Sequence, residues 1–132
     1  MRTIVVDASA AVELLRQTPA GQHAGEALRG TVAVAPAHLD AEVLSALARL
    51  VRAHGLASSF VEPALIALTR APITRYPLPP LLLEAWALRA NIAQRDALYV
   101  VLARRVGASL LTADARLAGV PKLGVRVTVV GS

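Results

Sequence analysis

Four carboxylates in this chain, Asp7, Glu42, Asp96 and Asp114, stand at the edges of apolar segments, where a charge that only adds solubility is not expected. The chain has nine acidic residues among 132, and 55% of its residues are hydrophobic, so the position of each acid is informative. Carboxylates that come together repel one another and raise each other's pKa unless a cation neutralises them. If these four converge, the simplest chemistry open to them is the binding of a divalent metal ion.

The available donor atoms indicate a hard cation. The chain contains no cysteine, and its histidines, His23, His38 and His54, are scattered, so we expect them on the surface or in the core and not among the ligands. Oxygen donors alone favour Mg²⁺ or Mn²⁺ over zinc. Such an ion polarises a substrate phosphate, lowers the pKa of an attacking water and stabilises the leaving oxygen. The pattern therefore predicts phosphodiester hydrolysis.

Each acid on its own also has an ordinary structural explanation. Asp114 precedes a short helical segment, and aspartate is among the preferred N-cap residues. Asp96 falls in the first turn of a predicted helix, where a negative charge stabilises the helix dipole. Asp7 and Glu42 can act in similar ways near the starts of their own helices. Only convergence of the four acids favours a metal site over helix capping.

The segments that must position these acids alternate between β-type and helical patterns. Short runs rich in β-branched residues predict strands at residues 3–6, 31–34, 73–76, 109–112 and 125–130. Helical spacing and stop signals predict helices at residues 8–16, 24–29, 37–54, 97–103 and 114–118, with a break at Thr18, Pro19 and Gly21 before the second. Two more helices are predicted, one from an N-cap at Ser58 or Ser59 to near Pro72 and one from the Pro77–Pro80 cluster through Leu88. Segment 97–103 is apolar all round apart from the Tyr99 hydroxyl, which predicts a helix buried on several sides. This alternation is typical of an α/β fold with a parallel sheet covered on both faces.

A parallel sheet brings the acids toward one edge. Asp7 and Asp114 each follow a predicted strand closely, and ligands bind beyond the carboxyl ends of the strands in open α/β sheets. The N-termini of helices that follow strands face the same edge. Within helix 37–54, periodicity does not choose between Asp40 and Glu42, because both lie about equally near the apolar face.

Composition limits the class of protein and its partners. The formal net charge is +5, from nine acidic and fourteen basic residues, and Lys122 is the single lysine. Arginine suits phosphate groups, so a nucleic-acid partner is permitted, although a GC-rich coding sequence explains the arginines equally well. The longest stretch without a charged residue, 30–39, is half of the ~20 residues that a membrane helix needs. Together with the absence of cysteine, this predicts one cytoplasmic domain, residues 1–132, without a membrane segment.

Four segments, in this order, resemble the PIN-domain nucleases, and their spacing is most similar to that of the VapC-type toxins of bacterial toxin–antitoxin pairs. They are IVVDASA, LDAEVLSAL, RDALYVVLA and LLTADARLA, and the resemblance runs from residue 4 to residue 129. It implies a three-layer α/β/α sandwich with a central, mostly parallel sheet.

The resemblance also assigns residues and partners. It implies that Asp7, Glu42, Asp96 and Asp114 form the acidic metal-binding quartet, and it selects Glu42 over Asp40. Ser9 and Thr112 match positions that support the site; from the residues alone, capping and strand packing explain these two equally well. The implied activity is Mg²⁺- or Mn²⁺-dependent endonucleolytic cleavage of RNA by a homodimer.

The implied partner is a VapB-like antitoxin that lays an apolar helix or strand in a groove near the acids and points a basic side chain at them. Residues 39–51 and 61–68 are apolar enough to supply such a groove, although ordinary core packing must account for most of their side chains.

Two other classes of protein are alternatives to the nuclease. A signalling receiver domain also gathers acids at a sheet edge, but it needs adjacent acids after the first strand and a late lysine before a proline. Here Asp7 is followed by Ala8, and Lys122 follows Pro121. A catalytically silent binding module is the other alternative, and the full set of four acids argues against it.

Overall fold

A central sheet of five strands organises the computed structural model, which describes residues 1–131. The strands are β1 (Thr3–Val6), β2 (Val32–Pro36), β3 (Ile73–Tyr76), β4 (Ser109–Thr112) and β5 (Val127–Val129). Their spatial order is β3-β2-β1-β4-β5, and every neighbouring pair is parallel. The predicted parallel sheet is confirmed, and the bounds of β2 and β5 differ from the predicted ones by one or two residues.

Helices cover both faces of this sheet. They are α1 (Ala8–Arg16), α2 (Pro19–Leu28), α3 (Leu39–Arg52), α4 (Val61–Arg70), α5 (Leu82–Ala87), α6 (Gln94–Val106) and α7 (Ala115–Ala118). Connections between parallel strands are right-handed. Because the chain crosses the sheet in one direction from β1 to β3 and in the other from β3 to β5, α1–α4 lie on one face and α5–α7 on the other. The three-layer α/β/α sandwich is confirmed.

The core lies where β1 and α6 meet. Residues 4–6 of β1 are buried, and α6 packs across β1, β2 and β4 with residues 99–103 each no more than 1% exposed. The prediction of a helix buried on several sides is confirmed, and this helix extends beyond the predicted 97–103. Its first turn therefore has a fixed position at the carboxyl edge of the sheet.

The region after α1 differs from the prediction of a chain break and a short helix at 24–29. Helix α2 already begins at Pro19, and the hydroxyl oxygen of its N-cap Thr18 accepts the amide of Gly21 at 3.0 Å. Proline is well suited to the first helical position, so Thr18 and Pro19 start the helix. A Cβ added to Gly21 would lie 2.1 Å from the carbonyl oxygen of Glu13, so this glycine allows close packing of α2 on α1.

Ser58 and Ser59 were predicted as N-caps, and this is wrong. Residues 58–60 form a 3₁₀ turn that runs into α4 at Val61, and neither start has a side-chain capping bond. Helix α3 is also shorter than predicted, from Leu39 to Arg52, and its N-cap residue His38 makes no capping bond. Among the helices within residues 1–131, none has the length and apolar character to span a bilayer.

Candidate active site

The four acids come together at the carboxyl edge of the sheet. Asp7 follows β1, Asp114 lies two residues after β4, Asp96 is in the first turn of α6 and Glu42 is in the first turn of α3. All four line one open cavity of about 780 Å³. The direction of the strand order reverses between β1 and β4, which is the point where open α/β sheets bind ligands.

Asp7 is a buried carboxylate held by the start of α1. It is 4% exposed, and its Oδ1 accepts the amide of Ala10 at 2.9 Å and the hydroxyl of Ser9 at 2.7 Å. The prediction that Asp7 caps a helix is therefore confirmed. Burial raises the pKa of Asp7, and interactions with Thr112, Ala10 and Ser9 oppose that rise only in part. The ionised form is thus poorly stabilised by the chain alone.

Two hydroxyls join the ends of β1 and β4. Ser9 Oγ donates its one hydrogen to Asp7 and lies 3.2 Å from Oγ1 of Thr112. Ser9 Oγ also accepts the amide of Ala113 at 2.9 Å, and Thr112 Oγ1 accepts the amide of Asp114 at 3.0 Å. The two hydroxyls therefore fix the backbone that carries Asp114 relative to Asp7.

Glu42 is held between α3 and α6. Its Oε1 accepts the hydroxyl of Tyr99 at 2.6 Å and lies 3.4 Å from Nε2 of His38, and its Oε2 lies 3.7 Å from Nε of Arg95. Burial and the hydrogen bond to Glu42 both raise the pKa of Tyr99, so this phenol stays protonated and remains a donor.

Asp40 points elsewhere. Its two oxygens accept hydrogen bonds from Nε and Nη2 of Arg75 on β3, at 3.2 and 2.8 Å. The same guanidinium donates to the carbonyl oxygens of Ile73 and Leu68. Periodicity left both acids open; in the structure Glu42 lines the cavity, and Asp40 pairs with Arg75.

Asp96 and Asp114 have contrasting surroundings. Asp114 caps α7, and the guanidinium of Arg116 binds both of its oxygens, at 3.0 and 2.8 Å, which lowers the pKa of Asp114. Burial raises the pKa of Asp96; the charges of Arg95 and Arg116 oppose this rise, and those of Glu42 and Asp114 add to it. Within residues 1–131, no hydrogen bond to the carboxylate of Asp96 offsets its burial.

A family model agrees with this geometry. The model described as "PIN domain" matches residues 4–123, which includes all four acids. The chain belongs to the PIN-domain family. The receiver-domain alternative is thereby excluded.

Relatives of this PIN domain include proteins named as ribonucleases. The chain is 50% identical over 116 residues to "Ribonuclease VapC3" of Mycobacterium tuberculosis, a match that covers 87% of this chain and 85% of the relative. It is 41% identical over 136 residues to "Ribonuclease VapC1" of the same organism, with coverage of 98% and 99%. VapC proteins are therefore the group of the family to which this chain is related.

Solved structures show the same fold. A chain in the crystal structure of VapBC2 from Rickettsia felis, bound to a DNA fragment from their promoter, superposes with a TM-score of 0.70 at 11% identity, covering 98% of this chain and 99% of that one. PAE2754 from Pyrobaculum aerophilum superposes with a TM-score of 0.67 at 21% identity, covering 96% and 83%. At these identities the likeness concerns the fold alone.

The donor types of this PIN domain fit a hard divalent cation. The four acids line one cavity together with Glu13 of α1, the chain has no thiol, and the burial of Asp7 and Asp96 is only partly offset by their surroundings. Within residues 1–131, however, no group of three or more His, Asp or Glu side chains is arranged to hold an ion. Glu42 and Asp114 are paired with arginines instead, so cation binding requires those exposed arginines to move away.

Sequence reasoning missed four residues of this PIN-domain site. Arg95 directly precedes Asp96, and Arg116 lies two residues after Asp114. This proximity in the sequence was the available signal. Tyr99, noted only as the polar group of an apolar helix, donates to Glu42. His38 precedes Glu42 by one helical turn and contacts it, a neighbour that the scattered positions of the histidines did not indicate.

Proposed function

We propose that this PIN domain is a divalent-cation-dependent endoribonuclease that acts as the toxin of a toxin–antitoxin pair. One observation supports this most: four carboxylates from four separate elements line one cavity at the switch point of the sheet. The names of the VapC relatives supply the substrate class, RNA.

Asp7, Asp96 and Glu42 would hold the cation, and Asp114 would complete the site. When bound there, Mg²⁺ or Mn²⁺ supplies charge to polarise the phosphodiester and to lower the pKa of the attacking water. Each acid comes from a rigid strand end or helix start, so the chain fixes the positions of the donors before substrate arrives.

The chain's own residues orient the acids and contact the substrate. Ser9 and the amide of Ala10 fix Oδ1 of Asp7, which leaves Oδ2 for a ligand. Arg95 and Arg116 have side chains that are 71% and 89% exposed, so little packing holds them on the acids. Once released from the acids, their guanidinium groups would be free to bind RNA phosphates.

The same cavity offers an extended path for RNA. Arg16 of α1 and Arg49 of α3 also line it, so four arginines share the cavity with the acids. A single-stranded nucleic acid binds such a basic groove through its backbone. The net charge of +5 also attracts a polyanion such as RNA at longer range.

An antitoxin and a second copy of the chain complete the proposal. Most of the apolar side chains expected to form the antitoxin groove belong to the core, such as Leu39, Val43, Leu47, Ala64 and Leu68. A partly exposed apolar strip remains between α1 and α3, where Ala46 and Leu50 line the cavity over the buried Val12. We infer that the antitoxin docks along this strip, and that the protein works in the cytoplasm as a homodimer.

Cleavage of labelled RNA tests the enzymatic part. The wild-type protein should cut single-stranded RNA in Mn²⁺ or Mg²⁺ and stop when EDTA is added, while DNA of the same sequence stays intact. Asp7→Asn and Asp96→Asn should abolish cleavage with circular dichroism unchanged. Asp40→Asn is the matched control and should retain activity, because this acid faces Arg75. Undiminished cleavage by the first two variants would refute the assignment.

A catalytically silent binding module is the second candidate, and one observation favours it. Glu42 and Asp114 are already neutralised by arginines of the chain, without any ion. Mn²⁺ titration by calorimetry separates the two functions, since a silent module has no need to bind the ion.

A further inference from the structure

We propose that Tyr99, backed by the ring of His38, is a positioning residue that fixes the carboxylate of Glu42 so that its Oε2 is presented to the cation. The inference deepens the proposed function and rests on it. It assigns a role to two residues that contact Glu42 and to which the family resemblance gives none.

Tyr99 donates a hydrogen bond to Glu42 from a buried position in α6. Tyr99 is 1% exposed, and it follows Asp96 by three residues, so both side chains lie on the same side of α6 one turn apart. Its hydroxyl donates to Oε1 of Glu42 at 2.6 Å, a distance typical of a phenol bound to an ionised carboxylate. The ring cannot leave without opening the core, so Oε1 has a fixed position.

His38 packs against Tyr99 and links the start of α3 to α6. Its ring packs on Tyr99 with centroids 4.7 Å apart and a tilt of 40°. Nε2 of His38 lies 2.9 Å from the carbonyl oxygen of Arg95, and since a carbonyl only accepts, Nε2 must carry the hydrogen. This bond ties the start of α3, which carries Glu42, to the residue just before Asp96. Within residues 1–131, Nδ1 of this ring is the buried side-chain polar atom left without a partner.

The unpaired Nδ1 indicates what the ring is for. A buried polar atom without a partner costs free energy, and such atoms in native structures call for an explanation. Here the ring is oriented so that Nε2 reaches both the carbonyl of Arg95 and, at 3.4 Å, Oε1 of Glu42. The orientation that leaves Nδ1 unpaired is thus the one that puts Nε2 on the carbonyl of Arg95 and beside Glu42.

Arg95 contacts the second carboxylate oxygen of Glu42, Oε2. Its Nε lies 3.7 Å from Oε2 of Glu42, and its side chain is 71% exposed. An exposed ion pair of this kind contributes little and is readily displaced. The two oxygens therefore differ: the buried Tyr99 holds Oε1, and Oε2 lies beside the exposed guanidinium of Arg95, which a divalent cation can replace. Without the phenol hydroxyl, the carboxylate can rotate and bind Arg95 with both oxygens.

Calorimetric titration with Mn²⁺ tests this. Tyr99→Phe should weaken Mn²⁺ binding by about tenfold to a hundredfold, the usual effect of losing a partner of a metal ligand. Tyr76→Phe removes the same hydroxyl from the other tyrosine, which is half-buried on β3 outside the cavity, and should leave the affinity unchanged. If Tyr99 acts through Glu42, Tyr99→Phe should change the affinity less than about twofold when added to Glu42→Gln.

The outcomes separate the two levels of the proposal. A wild-type protein that binds no Mn²⁺ overturns the proposed function, and with it this inference. A wild type that binds Mn²⁺ and a folded Tyr99→Phe that binds it equally well overturn the positioning role alone. A full additional loss in the Glu42→Gln background, as expected of a merely structural residue, also overturns it.

A second measurement applies if Tyr99→Phe does not fold. The two tyrosines can be replaced by 3-fluorotyrosine and followed by ¹⁹F NMR during titration with Mg²⁺. The Tyr99 resonance should shift with the same half-saturation as calorimetry gives, and the Tyr76 resonance should not move. The shift should be lost in Glu42→Gln. A Tyr99 resonance that ignores Mg²⁺ in a protein that binds it contradicts the inference.

Discussion

Replacing Thr112 by valine removes one hydroxyl from the junction of β1 and β4 while keeping the shape of the side chain. Thr112 is fully buried, and its Oγ1 accepts the amide of Asp114 at 3.0 Å and contacts Ser9 Oγ at 3.2 Å. In Thr112→Val the amide of Asp114 loses its acceptor. Leaving a buried donor unpaired costs about 1–3 kcal/mol.

The partial exposure of Asp114 lowers the expected loss of unfolding free energy. Asp114 is only half-buried, so water can satisfy part of the lost bond, and we expect the free energy of unfolding to fall by about 1–2 kcal/mol. For a chain of this length, that corresponds to a melting temperature lower by roughly 4–8 °C. The effect should grow in Mn²⁺, because the displaced Asp114 then also binds the ion less well.

Urea unfolding followed by circular dichroism measures this, with Thr128→Val on β5 as the matched control. Thr128 is half-buried, and within residues 1–131 its hydroxyl makes no side-chain hydrogen bond, so this variant should stay within about 0.5 kcal/mol of the wild type. If Thr112→Val unfolds at the same urea concentration as Thr128→Val, the hydroxyl bridge does not organise the site.

Three further predictions follow from the same contacts. Gly21→Ala should lower the melting temperature by several degrees, because its Cβ would overlap a backbone carbonyl of α1, whereas Gly25→Ala has room and should be neutral or slightly stabilising. Asp7→Asn should raise the melting temperature in EDTA, since it removes a buried charge and keeps an accepting oxygen, and it should cancel the increase that Mn²⁺ gives to the wild type. Arg116→Ala should tighten Mn²⁺ binding roughly twofold to fivefold in calorimetry, because it frees Asp114 from an exposed ion pair; weaker binding would show that Arg116 supports the site.

The sequence was sufficient for the sheet and for three of the acids because their signals are local. Asp7 and Asp114 follow β-branched runs, and Asp96 opens a helix that is apolar all round, so their edge of the sheet could be inferred once the strands were taken as parallel. The start of α2 was also a local signal, in Thr18 and Pro19, but it was interpreted as a break.

The remaining features depend on packing between distant segments. Asp40 and Glu42 are two residues apart on one helix, and what separates them is Arg75 of β3, whose place beside α3 follows from the fold. The contacts of Tyr99 with Glu42 and of His38 with Arg95 each span 57 residues. No periodicity within one helix contains that information, so the partners of the fourth acid became visible only in three dimensions.

Calorimetric titration of Mn²⁺ into Glu42→Gln and Asp40→Asn tests most directly whether these acids form a cation site. The two variants change neighbouring acids of the same helical turn, one lining the cavity and the other paired with Arg75. Saturable binding should occur in the wild type and in Asp40→Asn, and it should be at least about tenfold weaker in Glu42→Gln. Equal affinity in Glu42→Gln and the wild type, or no binding in either, would contradict the assignment of the acids as one metal centre.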